Sequence, residues 1–251
     1  MEKAKQESAF IVEDEFETKA VQQSCMGTAG CIAEFDLQSN LIIHAKTQIP
    51  YLAQNDFNQA LVDMGLKGKN SRVIVPYVGG AFGSGLDTHG YEFIAILLAY
   101  KTGRPVKILL NRVEEFSYTS PRQPTKARIS QGCDKNGKLT FREVNMILDN
   151  GAYISWGATT PTVMLMPISS LYVVPNFLYD AKVVYTNNTY CQAMRGYGNP
   201  QATYFVECSM DQLAEAAAID PYDFRLINTN KPDTESFGFE ITSCGLKECL
   251  D

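Results

Sequence analysis

The chain has few of the residues that build metal centres. It has two histidines, His44 and His89, in 251 residues, so a histidine-ligated metal or a histidine general base is poorly supplied. Its seven cysteines are an odd number and widely scattered. Only Cys25 with Cys31 and Cys244 with Cys249 lie close in sequence, and neither pair has zinc or iron–sulfur spacing. The start, Met1-Glu2-Lys3-Ala4-Lys5-Gln6-Glu7, is charged and lacks the apolar region of a signal peptide. The thiols therefore read as reduced and structural, in a cytoplasmic protein. No apolar run approaches the roughly 20 residues that span a bilayer. Positive charge is also in deficit, with 22 Lys+Arg against 28 Asp+Glu and a net charge of −6. That balance argues against nucleic acid or an anionic membrane as the main partner. Internal repeats and low-complexity linkers are absent.

Core-forming residues are abundant: 45% of the chain is hydrophobic, with 13 Tyr and 13 Phe. Phe10-Ile11-Val12 is a short apolar stretch, and residues 31–35 and 41–46 flank a turn-like 36–40 as a hairpin. Pro50 opens a helix over residues 51–64, with Leu52, Phe57, Ala60, Leu61 and Met64 at helical spacing. Residues 72–75 read as a strand and 91–100 as a nearly all-apolar helix stopped by Gly103 and Pro105. Residues 106–110 read as a buried strand. Residues 126–133 and 138–148 pair across Asp134-Lys135-Asn136-Gly137, whose Asn-Gly is the strongest hairpin signal here, with a bulge expected near Arg142-Glu143. A long helix is predicted over 199–218, with Glu207, Asp211 and Glu215 as a solvated acidic row. A shorter helix follows Asp220-Pro221. Strands and helices mix without regular βαβ alternation, which predicts an α+β fold with a mixed sheet, hairpins and packed helices.

Two glycine-rich segments carry the chemistry. Gly79-Gly80-Ala81-Phe82-Gly83-Ser84-Gly85 lacks the Gly-Lys-Ser/Thr ending of a Walker loop, and Thr88 takes the third glycine position of a dinucleotide fingerprint. From the loop alone, a ligand role and a plain tight turn are equally open. Cys191-Gln192-Ala193-Met194-Arg195-Gly196-Tyr197-Gly198-Asn199-Pro200-Gln201 places one arginine among small residues at the mouth of a helix. There it can fork onto phosphate or a carboxylate, or cap a helix carboxylate such as Glu207. Two such backbones suggest a large anionic cofactor held from two sides.

These motifs resemble a family. The first segment is similar to the Gly-Gly-Gly-Phe-Gly loop of the molybdenum-binding subunits of the xanthine dehydrogenase/aldehyde oxidase family. The second resembles that family's Ala-Phe-Arg-Gly-Phe-Gly-x-Pro-Gln segment. Lys101-Thr102-Gly103-Arg104-Pro105-Val106, Thr47-Gln48, and Asp220-Pro221 with Arg225 and Asn228 match in order and spacing, from about Val12 onward. The resemblance implies a molybdenum ion on a molybdopterin, extended to a cytosine dinucleotide. It implies hydroxylation of an aldehyde or heteroaromatic carbon with water oxygen, and electrons leaving through 2Fe-2S clusters and FAD on partner subunits. By the same resemblance Gln48 would hydrogen-bond an oxo ligand of molybdenum. Gly80, Phe82 and Gly83 would contact the cofactor, with Phe82 and Gly83 offering amides. Met194, Arg195 and Gly196 would line the metal's other side through main chain. Phe82, Leu86 and Tyr197 would line the substrate pocket. The dithiolene would hold the metal, so no metal ligand is expected from the protein.

Two features depart from the pattern. The family's glutamate base, in a Gly-Val-Gly-Glu motif, has no counterpart here, so no catalytic residue is assigned. Leu86 stands where purine-oxidising members carry glutamate, and no arginine lies near Trp156-Gly157-Ala158, which points to a substrate other than xanthine. Residues 1–251 therefore read as a single α+β segment resembling the first molybdopterin-binding domain, with the second cofactor-binding half absent. That describes a split subunit, a truncated product or a fragment. It would be inactive alone, completed by other chains, and would self-associate through the apolar face they would cover. The alternative is a non-catalytic homologue serving as a cofactor-binding or scaffold module.

Overall fold

Periodicity of two builds the sheets of this chain and periodicity of 3.6 builds the helices that cover them. The computed structural model describes residues 1–236 and 239–251. Helix α1 (Glu2–Glu7) leads into β1 (Phe10–Thr18). A hairpin of β2 (Gly30–Phe35) and β3 (Leu41–Ala45) follows, then α2 (Pro50–Asp63), β4 (Ser71–Ile74), α3 (Gly90–Thr102), β5 (Val106–Leu109) and α4 (Arg112–Tyr118). Strands β6 (Thr125–Cys133) and β7 (Leu139–Gly151) precede a 3-10 turn, Trp156–Thr159, that runs into α5 (Thr160–Ser170). Then come β8 (Phe177–Tyr185), α6 (Asn199–Ala216), α7 (Pro221–Asn228), β9 (Thr234–Ser236), β10 (Phe239–Ile241) and α8 (Leu246–Leu250). This is the α+β architecture with mixed sheets that the sequence implied.

One four-stranded sheet has the order β4-β3-β2-β5, a second has β1-β6-β7-β8, and β9 with β10 forms a two-stranded third. Each four-stranded sheet contains one parallel pair, β3 with β4 and β7 with β8. In the first sheet Leu41, Ile43 and Ala45 of β3 alternate inward and pack with Phe57 and Leu61 of α2 and Ile96 of α3. In the second, Ile129, Val144, Met146 and Leu148 form a core with Phe205, Met210 and Leu213 of α6 and Met164 and Ile168 of α5. Both expected hairpins form. Asp36 Oδ1 accepts from the amides of Gln38 (2.9 Å) and Asn40 (2.8 Å), an Asx-type turn, and Gly137 takes a φ of 78° between β6 and β7. All seven cysteines are free thiols. Among the described residues, no helix is long and apolar enough to cross a membrane.

Three expectations change. Strand β5 is an edge strand with alternating half-buried and exposed residues, because among the described residues only β2 pairs with it. The bulge lies at Thr140, where Gly132 pairs with Phe141 and Cys133 with Leu139, rather than at Arg142-Glu143. The acidic row is only partly solvated. Arg225 Nε donates to Glu207 Oε2 at 2.8 Å and Arg225 Nη1 to Asp211 Oδ1 at 2.7 Å, which ties α7 to α6.

Arg142 is the cation of the second core, 0% exposed. Its Nε donates to Gln131 Oε1 (2.9 Å) and its Nη1 to Ile168 O (2.6 Å), and its guanidinium lies 5.8 Å from the Tyr172 ring centroid. Tyr172 in turn donates to Glu207 at 2.8 Å. Burial pushes the guanidinium pKa down to about 10, so it stays charged at neutral pH. Arg142→Ala leaves two buried acceptors unpaired around a cavity and should cost roughly 3–5 kcal/mol, whereas Arg142→Met fills the space without a charge and should cost less than about half of that. Urea unfolding of both variants checks this, and equal losses would contradict it.

Candidate functional site

The first glycine loop leaves β4 and ends at α3, and its backbone is gripped along its length. The Gly27 amide donates to Gly79 O at 2.9 Å, and Lys46 Nζ donates to Gly27 O at 2.6 Å. A Cβ on Gly79 would sit 2.7 Å from the Gly27 nitrogen, a backbone-on-backbone clash that explains glycine there. Beneath, the buried Glu115 pairs with Lys46 (4.0 Å) and with Arg112, and Arg112 also donates to the Cys25 carbonyl. Gln48 closes the loop from the other side. Its Oε1 accepts from the amides of Gly83 (2.9 Å) and Gly85 (3.3 Å), and its own amide donates to Gly85 O at 2.8 Å. With Oε1 so committed, Nε2 is the end of Gln48 left to donate outward.

The second glycine segment links β8 to α6 and meets the first directly. The Arg195 amide donates to Phe82 O at 2.8 Å. A Cβ on Gly83, where φ is 104°, would lie 2.4 Å from Ala193 O and 3.1 Å from Met194 Cα. No other residue type permits that approach. The Arg195 guanidinium carbon sits 5.6 Å from the centroid of the Phe82 ring, a cation–π arrangement. Phe82 itself is 46% exposed with a φ of 51°, and Tyr197 has a φ of 48°. Non-glycine residues hold such angles only where their surroundings impose them. Tyr197 is held by hydrogen bonds of its hydroxyl to Thr159 Oγ1 and Trp156 O, and its amide donates to Met194 O at 2.7 Å.

Gln48, Gly80, Phe82, Gly83, Met194 and Arg195 are thus drawn into one cluster, with Gly196 next in the chain. Leu86 is half-buried, its amide donating to Gly83 O at 3.0 Å, while Tyr197 is held from the Trp156 turn. The structure adjusts two of the expected roles. The Gly83 amide is taken by Gln48, and both main-chain groups of Arg195 are used within the chain, its carbonyl accepting from Arg122 Nη2 at 2.7 Å. Among the described residues, the amides of Gly80, Phe82, Met194 and Gly196 find no acceptor. Arg195 does not cap Glu207; Arg225 does. Sequence reading missed Arg122, although an arginine and a glutamine between Pro121 and Pro124 were a visible signal. It also left His89 unassigned.

His89 caps α3 and links the first segment to Tyr190, the residue before the second. Its Nε2 faces Ser84 O at 2.9 Å and must carry the proton, because a carbonyl only accepts. Burial pushes the ring's pKa down, which favours the neutral form, and in that form Nδ1 accepts from the Tyr190 hydroxyl at 3.2 Å. The His89 amide donates to Glu92 Oε2 at 2.7 Å in a capping box. Among the described residues, no group of three or more His, Cys, Asp or Glu is placed to hold a metal ion. An open pocket of 340 Å³ lies between Asp87 and the Ile154–Thr159 turn. A larger cavity of 490 Å³, among Glu15, Lys126 and Asp180, shares no residue with either glycine segment.

Glu92 is 1% exposed. Burial pushes its pKa up to about 8, against the opposing His89 amide hydrogen bond. A raised carboxylate pKa means that the folded state holds the proton more tightly than the unfolded chain. Its contribution is therefore fully present below the unfolded pKa and lost as pH rises through about 8. Glu92→Gln keeps the cap and removes the titration. It should gain stability over the parent at about pH 8 and gain little at about pH 5. Melting curves at the two pH values check this, and a pH-independent difference would refute it.

Comparisons with known proteins follow the same lines. Residues 1–229 match the family model described as molybdopterin cofactor-binding domain. Over 244 residues, 96% of this chain, it is 32% identical to the nicotinate dehydrogenase large molybdopterin subunit of Eubacterium barkeri, of which it covers 56%. Identity is again 32% over 244 residues to the putative xanthine dehydrogenase molybdenum-binding subunit of Escherichia coli K12, of which it covers 32%. The chain therefore spans about half, or about a third, of these curated relatives. The solved aldehyde oxidoreductase of Desulfovibrio gigas superposes with a TM-score of 0.90 over 99% of this chain and 27% of that one, at 24% identity, which shows a common fold.

Proposed function

This chain belongs to the molybdopterin cofactor-binding domain family, and we propose on that footing that it forms one wall of a molybdenum-cofactor hydroxylase site. The reading is carried by one observation: the two glycine segments meet, through the Arg195 amide on Phe82 O and the Gly83 approach to Ala193. When bound, the molybdenum cofactor, in its cytosine dinucleotide form, would supply the redox centre at which an aldehyde or heteroaromatic carbon is hydroxylated with oxygen from water. The residues present fit such a group. Gln48 keeps Nε2 to donate to it, and the Gly80, Phe82, Met194 and Gly196 amides remain as further donors. A side chain at Gly79 or Gly83 would clash with the facing backbone and push the cradle apart.

The chain's own residues bind and orient. Gln48, locked by two loop amides, presents a fixed donor. Phe82, held by Arg195, turns a partly exposed ring towards the substrate side. Leu86 and Tyr197 would line the substrate pocket, next to the opening between Asp87 and the Ile154–Thr159 turn. Leu86 stands where purine-oxidising enzymes carry glutamate, which favours substrates other than xanthine. The general base, the second cofactor-binding half and the 2Fe-2S and FAD centres would come from further polypeptide in a cytoplasmic assembly. Large apolar side chains such as Tyr77 and Met26, at 106% and 92% exposure, would make the isolated chain self-associate.

The test is the molybdenum and cytosine-nucleotide content of this chain, purified alone and after co-expression with its genomic neighbours, with sizing of both preparations. The account expects metal and nucleotide in the co-expressed complex, no xanthine turnover at normal rates, and self-association of the chain alone. Metal absent from both preparations would favour a non-catalytic scaffold. A monomeric isolated chain would remove the self-association claim.

A further inference from the structure

We infer that Arg122 is a positioning residue for this site: from outside both glycine segments it fixes the main chain of the second and, through Arg195, the orientation of Phe82 on the first. The inference rests on the reading above that Phe82 faces cofactor and substrate.

Arg122 is itself anchored, its amide donating to Val21 O at 2.9 Å. From this base the guanidinium forks. Nη2 donates to Arg195 O and Nη1 to Gln201 Oε1, each at 2.7 Å, and Gln201 Nε2 returns a bond to Gln123 O at 3.3 Å. One rigid plane therefore joins the loop carbonyl to the first turn of α6. The arginine is half-buried, and among the described residues no carboxylate pairs with it. Burial alone pushes its pKa down. Desolvating a cation against two neutral acceptors is a poor way to gain stability. What it provides is geometry, because a planar fork with fixed donors sets two acceptors at once, which a lysine cannot do.

The consequence passes along the chain. With its carbonyl held by Arg122, Arg195 directs its amide to Phe82 O at 2.8 Å and its guanidinium over the Phe82 ring at 5.6 Å. Those two contacts hold Phe82 at its φ of 51°. Removing the fork frees the Arg195 carbonyl, and Phe82 loses the restraint on both its peptide and its ring.

Trp156, the single tryptophan, reports on this without any cofactor, because its carbonyl accepts from the hydroxyl of Tyr197, two residues beyond Arg195. In the full chain, Arg122→Gln should leave the far-ultraviolet circular dichroism unchanged while acrylamide quenching of Trp156 rises. In the co-expressed holoenzyme kcat/KM should fall at least about tenfold, mostly in kcat, as expected when a reacting geometry is loosened. Arg122→Lys, which keeps the charge and loses the fork, should behave like Arg122→Gln. It also decides the matter if Arg122→Gln fails to fold. Unchanged quenching in both variants, with kcat and KM within about twofold of the parent, would overturn the inference. If no holoenzyme assembles, the cofactor reading fails, while the Trp156 signal still decides whether Arg122 holds the loop.

Discussion

The site depends on one backbone contact, the approach of Gly83 to the Ala193 carbonyl. A Cβ there would sit 2.4 Å from that oxygen, so the chain reaches this geometry only with glycine. Once the approach is made, the Arg195 amide reaches Phe82 O and segments more than a hundred residues apart become one surface. One segment follows β4 of the first sheet and the other precedes α6, which packs on the second.

Such a junction leaves polar backbone inside a protein, and its surroundings answer that problem group by group. Gln48 takes two loop amides, neutral His89 takes the Ser84 carbonyl, and Arg122 takes the Arg195 carbonyl. Buried charge is compensated beneath the first loop, where Glu115 meets Lys46 and Arg112, while the half-buried Arg122 has no carboxylate partner among the described residues. The amides of Gly80, Phe82, Met194 and Gly196 sit at half-buried or exposed residues and find no acceptor among the described residues, so they are the donors this surface leaves open.

Much of this was legible in the sequence because the signals were local. Asn136-Gly137 fixes a hairpin, Asp220-Pro221 starts a helix, and both glycine motifs stand out as strings. What was not legible depended on distant partners. That β5 would be an edge strand follows from strand order, which alternation along one strand cannot show. The acidic row on α6 looked like a solvated face until Arg225 of α7 folded back onto Glu207 and Asp211. The motif around Arg195 invited attention to its side chain, whereas the loop is set by its amide and carbonyl, whose partners, Phe82 and Arg122, lie elsewhere in the chain.

Hydrogen–deuterium exchange at the Arg195 amide, in this chain alone and in Gly83→Ala, tests the central claim most directly. If the two segments form one preorganised surface, that amide exchanges at least about 100-fold slower than an unstructured one, and Gly83→Ala abolishes the protection while α6 stays protected. An Arg195 amide that exchanges freely in the parent chain, with α6 intact, would contradict the account.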